Sequence, residues 1–348
     1  MLSVLAKIYG VIADIRNAMY DRGLLRSYPL DAKTISIGNI TTGGTGKTPL
    51  TALAAEILAE NGEKVCILTR GYGRRNPSRR VIVSEGEGVL VEADIGGDEP
   101  VELAHRLAGK AAVIADADRV ASARWAREHL GITAFVLDDG FQHRRAVRDL
   151  DIVCVDAANP FGNGRMLPAG RLREMPHNLA RAGAIVVTLS GEEEISDDLT
   201  AKIRELNPEC PIFAARRVIS GFVEILPGGL YDTADGGIGC DDGATDALTG
   251  RVLAFCGLAN PQNFFSEIEG CVYLAAVEKF RDHHNYTQSD ADALTKIARG
   301  CGAEMLVTTV KDAVKLGELS FGLPCFAAKM EMAVEDEAAF REFITASF

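Results

Sequence analysis

The chain has 348 residues, of which 47% are hydrophobic, and a formal net charge of −12. This length is enough for two domains of ordinary size, and the negative charge argues against general nucleic-acid binding, which requires a basic surface. The eight cysteines include no C-x-x-C pair, so the sequence predicts neither a zinc site nor a disulfide framework and is typical of a reduced, cytosolic protein.

Residues 2–20 carry apolar side chains at spacings of three and four, a pattern that predicts an amphipathic helix. The apolar stripe of this helix consists of Leu2, Leu5, Ile8, Ile12, Ile15 and Met19. Two interpretations are open from the pattern alone: the stripe packs on the core of the domain, or it lies in the interface of a membrane. The chain contains no run of about 18 uncharged apolar residues, so the sequence predicts no segment that crosses a bilayer.

Residues 43–48 (GGTGKT) form the most informative motif of the chain. They follow a short apolar run and precede a helical pattern, which is the context of a phosphate-binding P-loop. In such a loop the backbone N–H groups surround the phosphates, Lys47 reaches the β- and γ-phosphates, and the Thr48 hydroxyl binds Mg²⁺. Thr41 takes the place of the first glycine of the usual G-x-x-x-x-G-K-[ST] pattern. The motif predicts a nucleoside triphosphate site; the alternative is a glycine-rich turn that only connects a strand to a helix.

Short apolar runs alternate with helical patterns along the chain, which predicts an α/β fold with a doubly wound, mostly parallel P-loop sheet and a second, smaller α/β lobe. We predict an amphipathic N-terminal helix (1–24), a P-loop nucleotide-binding domain (25–210), a linker strand (211–226) and a smaller α/β domain (227–348). Within the smaller domain we expect a surface loop or hairpin over 232–246, a return strand near 324–333 and a terminal helix. Ligands of such sheets bind at the carboxyl ends of the strands.

Two carboxylates follow one of these runs, since the apolar strand predicted at 132–137 leads into Asp138 and Asp139. This is the form of a Walker B element, in which an aspartate at the end of a strand holds Mg²⁺ beside the P-loop. Adjacent residues of an extended strand point to opposite faces, so we expect one of the two to face the metal and its water shell. The alternative is a polar Asp-Gly turn.

Two further candidates are less specific. Asp98 and Glu99 begin a predicted helix, where an N-cap and a first-turn acid are also ordinary. His283 and His284 follow a strand of the second lobe. Neighbouring histidines on a strand do not readily bind one metal, so we interpret one of them as a catalytic or substrate-facing group.

In addition, the chain resembles the tetraacyldisaccharide 4'-kinases of lipid A biosynthesis over almost its full length. The motifs that carry the resemblance occur in order at residues 38–49 (GNITTGGTGKTP), 70–73 (RGYG), 97–100 (GDEP), 137–143 (LDDGFQH), 167–170 (LPAG), 172–174 (LRE), 282–284 (DHH) and 311–314 (KDAV). Two positions depart from the family pattern, with Arg171 in the place of proline and Val310 in the place of glutamate.

The resemblance implies that the γ-phosphate of ATP is transferred, with Mg²⁺, to the 4'-hydroxyl of a lipid A disaccharide 1-phosphate. It also implies that Asp98 accepts the proton of the sugar hydroxyl with His283 paired to it, and Lys47 completes the predicted catalytic set. The predicted nucleotide-binding residues are Thr41, Thr42, Gly43, Gly44, Thr45, Gly46, Lys47, Thr48, Gln142 and Arg173. The predicted metal-binding residues are Thr48, Asp138, Asp139 and Glu99.

The family further implies a peripheral location at the cytoplasmic face of the bacterial inner membrane, with the N-terminal helix on the membrane surface. No nucleic acid and no obligate protein partner is expected. Two other functions remain as alternatives: a P-loop GTPase-type regulatory switch and a soluble small-molecule kinase. Residues 308–312 (TTVKD) come near the N/T-K-x-D pattern of guanine-specific switches, but the spacing between lysine and aspartate differs by one residue.

Overall fold

A computed structural model describes residues 2–226, 238–239 and 248–348 of the chain. Its strands are β1 (Lys33–Gly38), β2 (Val65–Thr69), β3 (Val81–Ser84), β4 (Ala111–Ala115), β5 (Ala134–Asp138), β6 (Leu150–Asp156), β7 (Ala184–Leu189), β8 (Ile212–Glu224), β9 (Ile238–Gly239), β10 (Arg251–Cys256), β11 (Tyr273–Lys279), β12 (Met305–Thr309) and β13 (Cys325–Val334). Its α-helices are α1 (Leu2–Asp21), α2 (Lys47–Glu60), α3 (Ala93–Gly96), α4 (Asp98–Arg106), α5 (Arg119–Leu130), α6 (Asp197–Leu206), α7 (Pro261–Glu269), α8 (Gln288–Cys301), α9 (Val310–Ala313) and α10 (Glu337–Ala346), and a 3₁₀ helix spans Pro176–Arg181.

A parallel sheet forms the first half of the molecule, in the strand order β8-β7-β6-β1-β5-β2-β4-β3. Every pair in this series is parallel except β3 with β4. All residues of β2, β4, β5 and β7 are buried, because helices cover both faces of a parallel sheet and its strands are apolar throughout. The predicted α/β class is confirmed; β3 is a strand that the sequence pattern did not predict.

The second half of the molecule continues the same sheet. The long strand β13 pairs antiparallel with β8, and β12, β10 and β11 follow it in parallel. One sheet therefore runs through both predicted lobes, and β8 borders each of them. The division at 211–226 stays a prediction. Of the predicted loop or hairpin over 232–246, only Ile238 and Gly239 are described, and they pair antiparallel with β8; the remainder lies outside the described residues.

Helix α1 packs on the domain through its small and polar residues. Ala6, Gly10 and Asn17 are its buried positions, and the Asn17 amide donates hydrogen bonds to Glu174 Oε2 (2.8 Å) and Asn178 Oδ1 (3.0 Å). The predicted apolar stripe is on the other side: five of its six members, Leu2, Leu5, Ile8, Ile12 and Ile15, are exposed, so the interpretation that it packs on the core is wrong. Among the described residues, no helix is long and apolar enough to cross a membrane.

Candidate active site

The P-loop lies between β1 and α2 as the sequence predicts. Gly46 precedes α2 in the left-handed region (φ 77°), a conformation that favours glycine. Two side chains fix the preceding residue: Asn39 Nδ2 donates to Thr45 Oγ1 at 2.9 Å, and Thr188 Oγ1 donates to the Thr45 carbonyl at 2.9 Å. These bonds fix the loop at the N-terminus of α2, a position that favours negative charge.

The two carboxylates after β5 have different surroundings. Asp138 accepts hydrogen bonds from Thr69 Oγ1 (2.8 Å) and Thr51 Oγ1 (3.3 Å). Burial, together with the charges of Glu99 and Asp139, raises the pKa of Asp138 to about 6.

Asp139 adopts a positive φ of 49° and accepts from Arg173 Nη1 at 2.6 Å, with Lys47 Nζ 3.9 Å away. Burial alone would raise the pKa of Asp139, but Lys47 and Arg173 outweigh it and hold the pKa below its ordinary value. The structure thus brings Lys47 and Arg173 together on one strand-end carboxylate.

Asp98 and His283 meet across the two halves of the chain. His283 Nδ1 lies 2.8 Å from Asp98 Oδ2, although Asp98 begins α4 and His283 follows β11. The hydrogen bond to Asp98 raises the pKa of His283. Burial alone would raise the pKa of Asp98, but the bond from His283 and the charge of Lys315 bring it to about 2. His283 also has a positive φ of 56°, a conformation that costs about 1–3 kcal/mol and is found mainly at functional sites.

Two lysines of the second half surround this pair, and the sequence patterns did not identify their contacts. Lys315 Nζ lies 3.3 Å from Asp98 Oδ2 and 3.3 Å from Asp312 Oδ1. Lys311 Nζ lies 3.4 Å from His283 Nε2 and 3.5 Å from Glu99 Oε1. Lys311 belongs to α9 and Lys315 follows that helix. Their contacts join segments distant in sequence, so no local pattern specifies them.

One cavity of about 470 Å³ extends from the P-loop to His283 and Lys311. Its lining includes the loop residues from Thr42 to Thr48, the carboxylates Asp138, Asp139 and Glu99, and His283. Thr41 does not line it; this residue forms an antiparallel bridge with Leu172 at the loop entry. Glu99 faces the cavity but is paired with Lys311, so its role as a metal ligand stays a prediction.

A second cavity of about 340 Å³ lies between α1 and the end of β5, and Asp139, Arg173 and Tyr72 line it. Gln142 is on this side, where its Nε2 donates to the Asn39 carbonyl at 2.9 Å. Its predicted nucleotide contact stays a prediction. Further cationic side chains of the lining are Arg16, Arg70 and Arg119.

The sequence model of the tetraacyldisaccharide-1-P 4'-kinase family matches residues 1–348. The chain belongs to this family. A tetraacyldisaccharide 4'-kinase of Geobacter metallireducens is 40% identical over 97% of this chain and 94% of its own length, and one of Desulfotalea psychrophila is 35% identical over 96% and 92%. The crystal structure titled as the "apo" form of LpxK from Aquifex aeolicus in complex with ATP superposes with a TM-score of 0.73, at 28% identity over 99% of this chain and 97% of that chain.

Membership of the tetraacyldisaccharide-1-P 4'-kinase family agrees with the geometry, because the P-loop and His283, which is bonded to Asp98, line one cavity. The match over the full chain includes both halves of the sheet, which contribute Asp98 and His283 respectively.

Proposed function

We propose that the protein is a kinase that transfers the γ-phosphate of ATP to the 4'-hydroxyl of a tetraacyldisaccharide 1-phosphate. The observation that carries the proposal is the cavity that the P-loop, Asp139 and His283 line together, with Asp98 bonded to His283 at 2.8 Å. Phosphoryl transfer depends mainly on positioning and on neutralising charge, and this cavity supplies both. Family membership supports the identity of the acceptor.

The nucleotide end of the cavity fits MgATP. Thr48 and the two strand-end aspartates line it, and Mg²⁺ in nucleotide sites is held by one or two carboxylates, water and the phosphates rather than by a full set of protein ligands. Thr48 and the strand-end aspartates would hold Mg²⁺ here, and the metal would supply positive charge against the phosphates. Lys47 contacts the β- and γ-phosphates, and Arg173 fixes Asp139 in its left-handed conformation through the 2.6 Å bond.

At the acceptor end, Asp98 accepts the proton of the sugar hydroxyl as its oxygen bonds to the γ-phosphorus and ADP leaves. His283 and Lys315 both contact Oδ2, whereas no described residue donates to Oδ1. Gly73 lies beside that oxygen, since a Cβ at this position would be 3.5 Å from Oδ1. A pKa of about 2 keeps Asp98 ionised at neutral pH. This suits a loose transition state, in which the hydroxyl loses its proton late.

The second cavity is the proposed seat of the disaccharide. It adjoins the reaction centre through Tyr72 and Asp139, and its arginines suit an anionic sugar phosphate. Helix α1 supplies Tyr9, Ile12 and Arg16 to its wall, next to the exposed apolar stripe. We propose that this stripe enters the membrane interface and that the enzyme works as a peripheral protein at the cytoplasmic face, where ATP is available.

The test is the transfer of labelled γ-phosphate from ATP to a tetraacyldisaccharide 1-phosphate in mixed micelles, with product identified by mass spectrometry. We expect a 4'-phosphorylated product and a preference for ATP over GTP. Hydrolysis of GTP without phosphorylation of the lipid would support a regulatory switch instead. Phosphorylation of water-soluble sugars in the absence of lipid would support a soluble small-molecule kinase.

A further inference from the structure

We infer that Arg171 is an arginine finger supplied in cis, which contacts the γ-phosphate of the nucleotide bound in the P-loop. The inference rests on the proposed function, because it requires ATP to occupy this loop. It assigns a role to a side chain that has no described contact with Asp98 or His283.

The main chain fixes Arg171 beside the entry of the P-loop. Thr42 N donates to the Arg171 carbonyl at 2.7 Å, and Arg173 N donates to the Ile40 carbonyl at 2.7 Å. Between these bonds, Thr41 forms its antiparallel bridge with Leu172. The main chain that carries Arg171 is therefore hydrogen-bonded directly to the entry of the P-loop, and these bonds fix where the Arg171 side chain begins.

The guanidinium lies on the backbone of the loop. Its Nε donates to the Thr42 carbonyl at 3.1 Å, and a Cβ placed on Gly43 would overlap the Nη2 atom of Arg171. Gly43 has a φ of 125°, a conformation that favours glycine. The absence of a side chain at Gly43 is thus what gives the guanidinium access to the loop.

This guanidinium has no anionic partner within the described part of the chain. No carboxylate of a described residue lies within 4.0 Å of it, and Nε is the one of its three nitrogens that makes a hydrogen bond to a described residue. By contrast, the neighbouring Arg173 is paired with Asp139 at 2.6 Å. An exposed arginine with both terminal amino groups unused, held against a phosphate loop, is arranged to bind an oxyanion by two hydrogen bonds.

The γ-phosphate is the oxyanion that fits this position. Gly43 lines the large cavity together with Lys47 and Asp139. Arg171 lies on the other face of Gly43, where it lines a small cavity with Gly44 and Asp156. To contact a phosphate beside Lys47, its guanidinium therefore has to reach past Gly43. Negative charge spreads over the three equatorial oxygens of the transferring group, and a second cation at those oxygens stabilises the transition state.

The experiment compares wild type, Arg171→Gln, Arg171→Lys and the control Arg124→Gln, which removes the same charge from an exposed position of α5. Binding of MgATP and MgADP is measured by calorimetry, and turnover by transfer of labelled phosphate to the lipid disaccharide. For Arg171→Gln we expect ATP affinity to fall about 10-fold with ADP affinity within about twofold, and kcat to fall about 100-fold or more. Arg171→Lys keeps the charge but not the paired hydrogen bonds, so its kcat is expected to lie between those of wild type and Arg171→Gln.

Equal losses of ATP and ADP affinity would overturn the inference, because they would show that Arg171 maintains the loop and does not contact the γ-phosphate. Unchanged kcat and ATP affinity in Arg171→Gln would overturn it as well. Wild-type protein that binds neither nucleotide would instead overturn the proposed function, and the inference with it, before any variant is compared. Circular dichroism of each variant without nucleotide checks that it is folded.

Discussion

The exposed apolar side chains of α1 allow a direct test of membrane binding without removing the helix. Ile8 of the stripe and its neighbours Val4 and Val11 lie at spacings of four and three on one face, and Val4, Ile8 and Val11 are 61%, 51% and 58% exposed. None of the three lines a described cavity, so replacing all three by serine leaves the cavity walls unchanged. Deleting the helix would be less informative, because it would also remove the buried hydrogen bonds of Asn17.

The expected effect follows from the exposed area. Full burial of a side chain of this size contributes about 1.5–3 kcal/mol, so transfer of the exposed half of each side chain into the membrane contributes about 1 kcal/mol. Three of them together contribute about 3 kcal/mol, which corresponds to a loss of about 100-fold in the partition coefficient. Because the side chains are exposed, the thermal midpoint of the variant is expected to change little.

The assay is co-sedimentation with vesicles of phosphatidylethanolamine and phosphatidylglycerol, with lipid concentration varied. The control is the pair Leu90→Ser and Tyr273→Ser, which removes apolar side chains that are 58% and 68% exposed elsewhere on the surface. Activity on the lipid substrate is expected to fall in parallel with binding, while ATP affinity stays constant. Vesicle binding of the triple variant equal to wild type would refute the reasoning, and so would an equal loss in the control.

Three further predictions concern the reaction centre. Lys47→Ala removes the cation that contacts the β- and γ-phosphates, so we expect turnover to fall about 100-fold or more. Asp98→Asn and His283→Ala should each lower kcat about 100-fold or more with little change in KM for ATP, and the double variant should be no worse than the worse single variant, because the two act as a unit. Thr69→Val removes the 2.8 Å hydrogen bond to Asp138, so we expect the Mg²⁺ concentration for half-maximal activity to rise several-fold.

Matched controls are available for the lysine, aspartate and threonine variants. Lys64→Ala, Asp94→Asn and Thr133→Val make the same changes at exposed positions of the first half, and they should retain activity and Mg²⁺ dependence. Near-normal turnover in the lysine variant would contradict the P-loop assignment. Multiplicative losses in the double variant would show two independent roles, and an unchanged Mg²⁺ dependence after loss of the threonine would show that Asp138 is not held for the metal.

Local patterns were sufficient to predict the elements that carry the nucleotide site. The parallel strands are continuous apolar runs with helical periodicity between them, and the P-loop motif is contiguous, so each signal lies within a few residues. Strand alternation predicts that only one of Asp138 and Asp139 faces the metal, but Asp139 follows the strand with a positive φ and both carboxylates line the cavity, so which of them contacts the metal stays a prediction. The pairing of Asp98 with His283 was predicted from family resemblance alone, since 185 residues separate them in sequence.

Features that depend on distant pairing were not accessible from these patterns. The antiparallel pairing of β13 with β8 joins the two predicted lobes in one sheet, but nothing in the periodicity of either strand specifies its partner. The contact of Lys315 with Asp98 likewise requires the second half to be folded against α4. For α1, the periodicity of the sequence located the apolar stripe. The face that packs on the domain instead carries Gly10 and Asn17, and a search for apolar side chains does not detect such residues.

Two residues of the candidate site, Asp139 and His283, combine a strained backbone conformation with a charged partner. Asp139 and His283 both have a positive φ, which for a residue with a side chain costs about 1–3 kcal/mol unless surrounding contacts fix it. In each case the contacts come from another segment: Arg173 holds Asp139 at 2.6 Å, and Asp98 holds His283 at 2.8 Å. Each pair therefore joins a residue of positive φ to a segment distant in sequence and shifts its pKa, downward for Asp139 and upward for His283. A substitution that removes Arg173 or Asp98 is thus expected to act on the pKa and on the position of the partner side chain together.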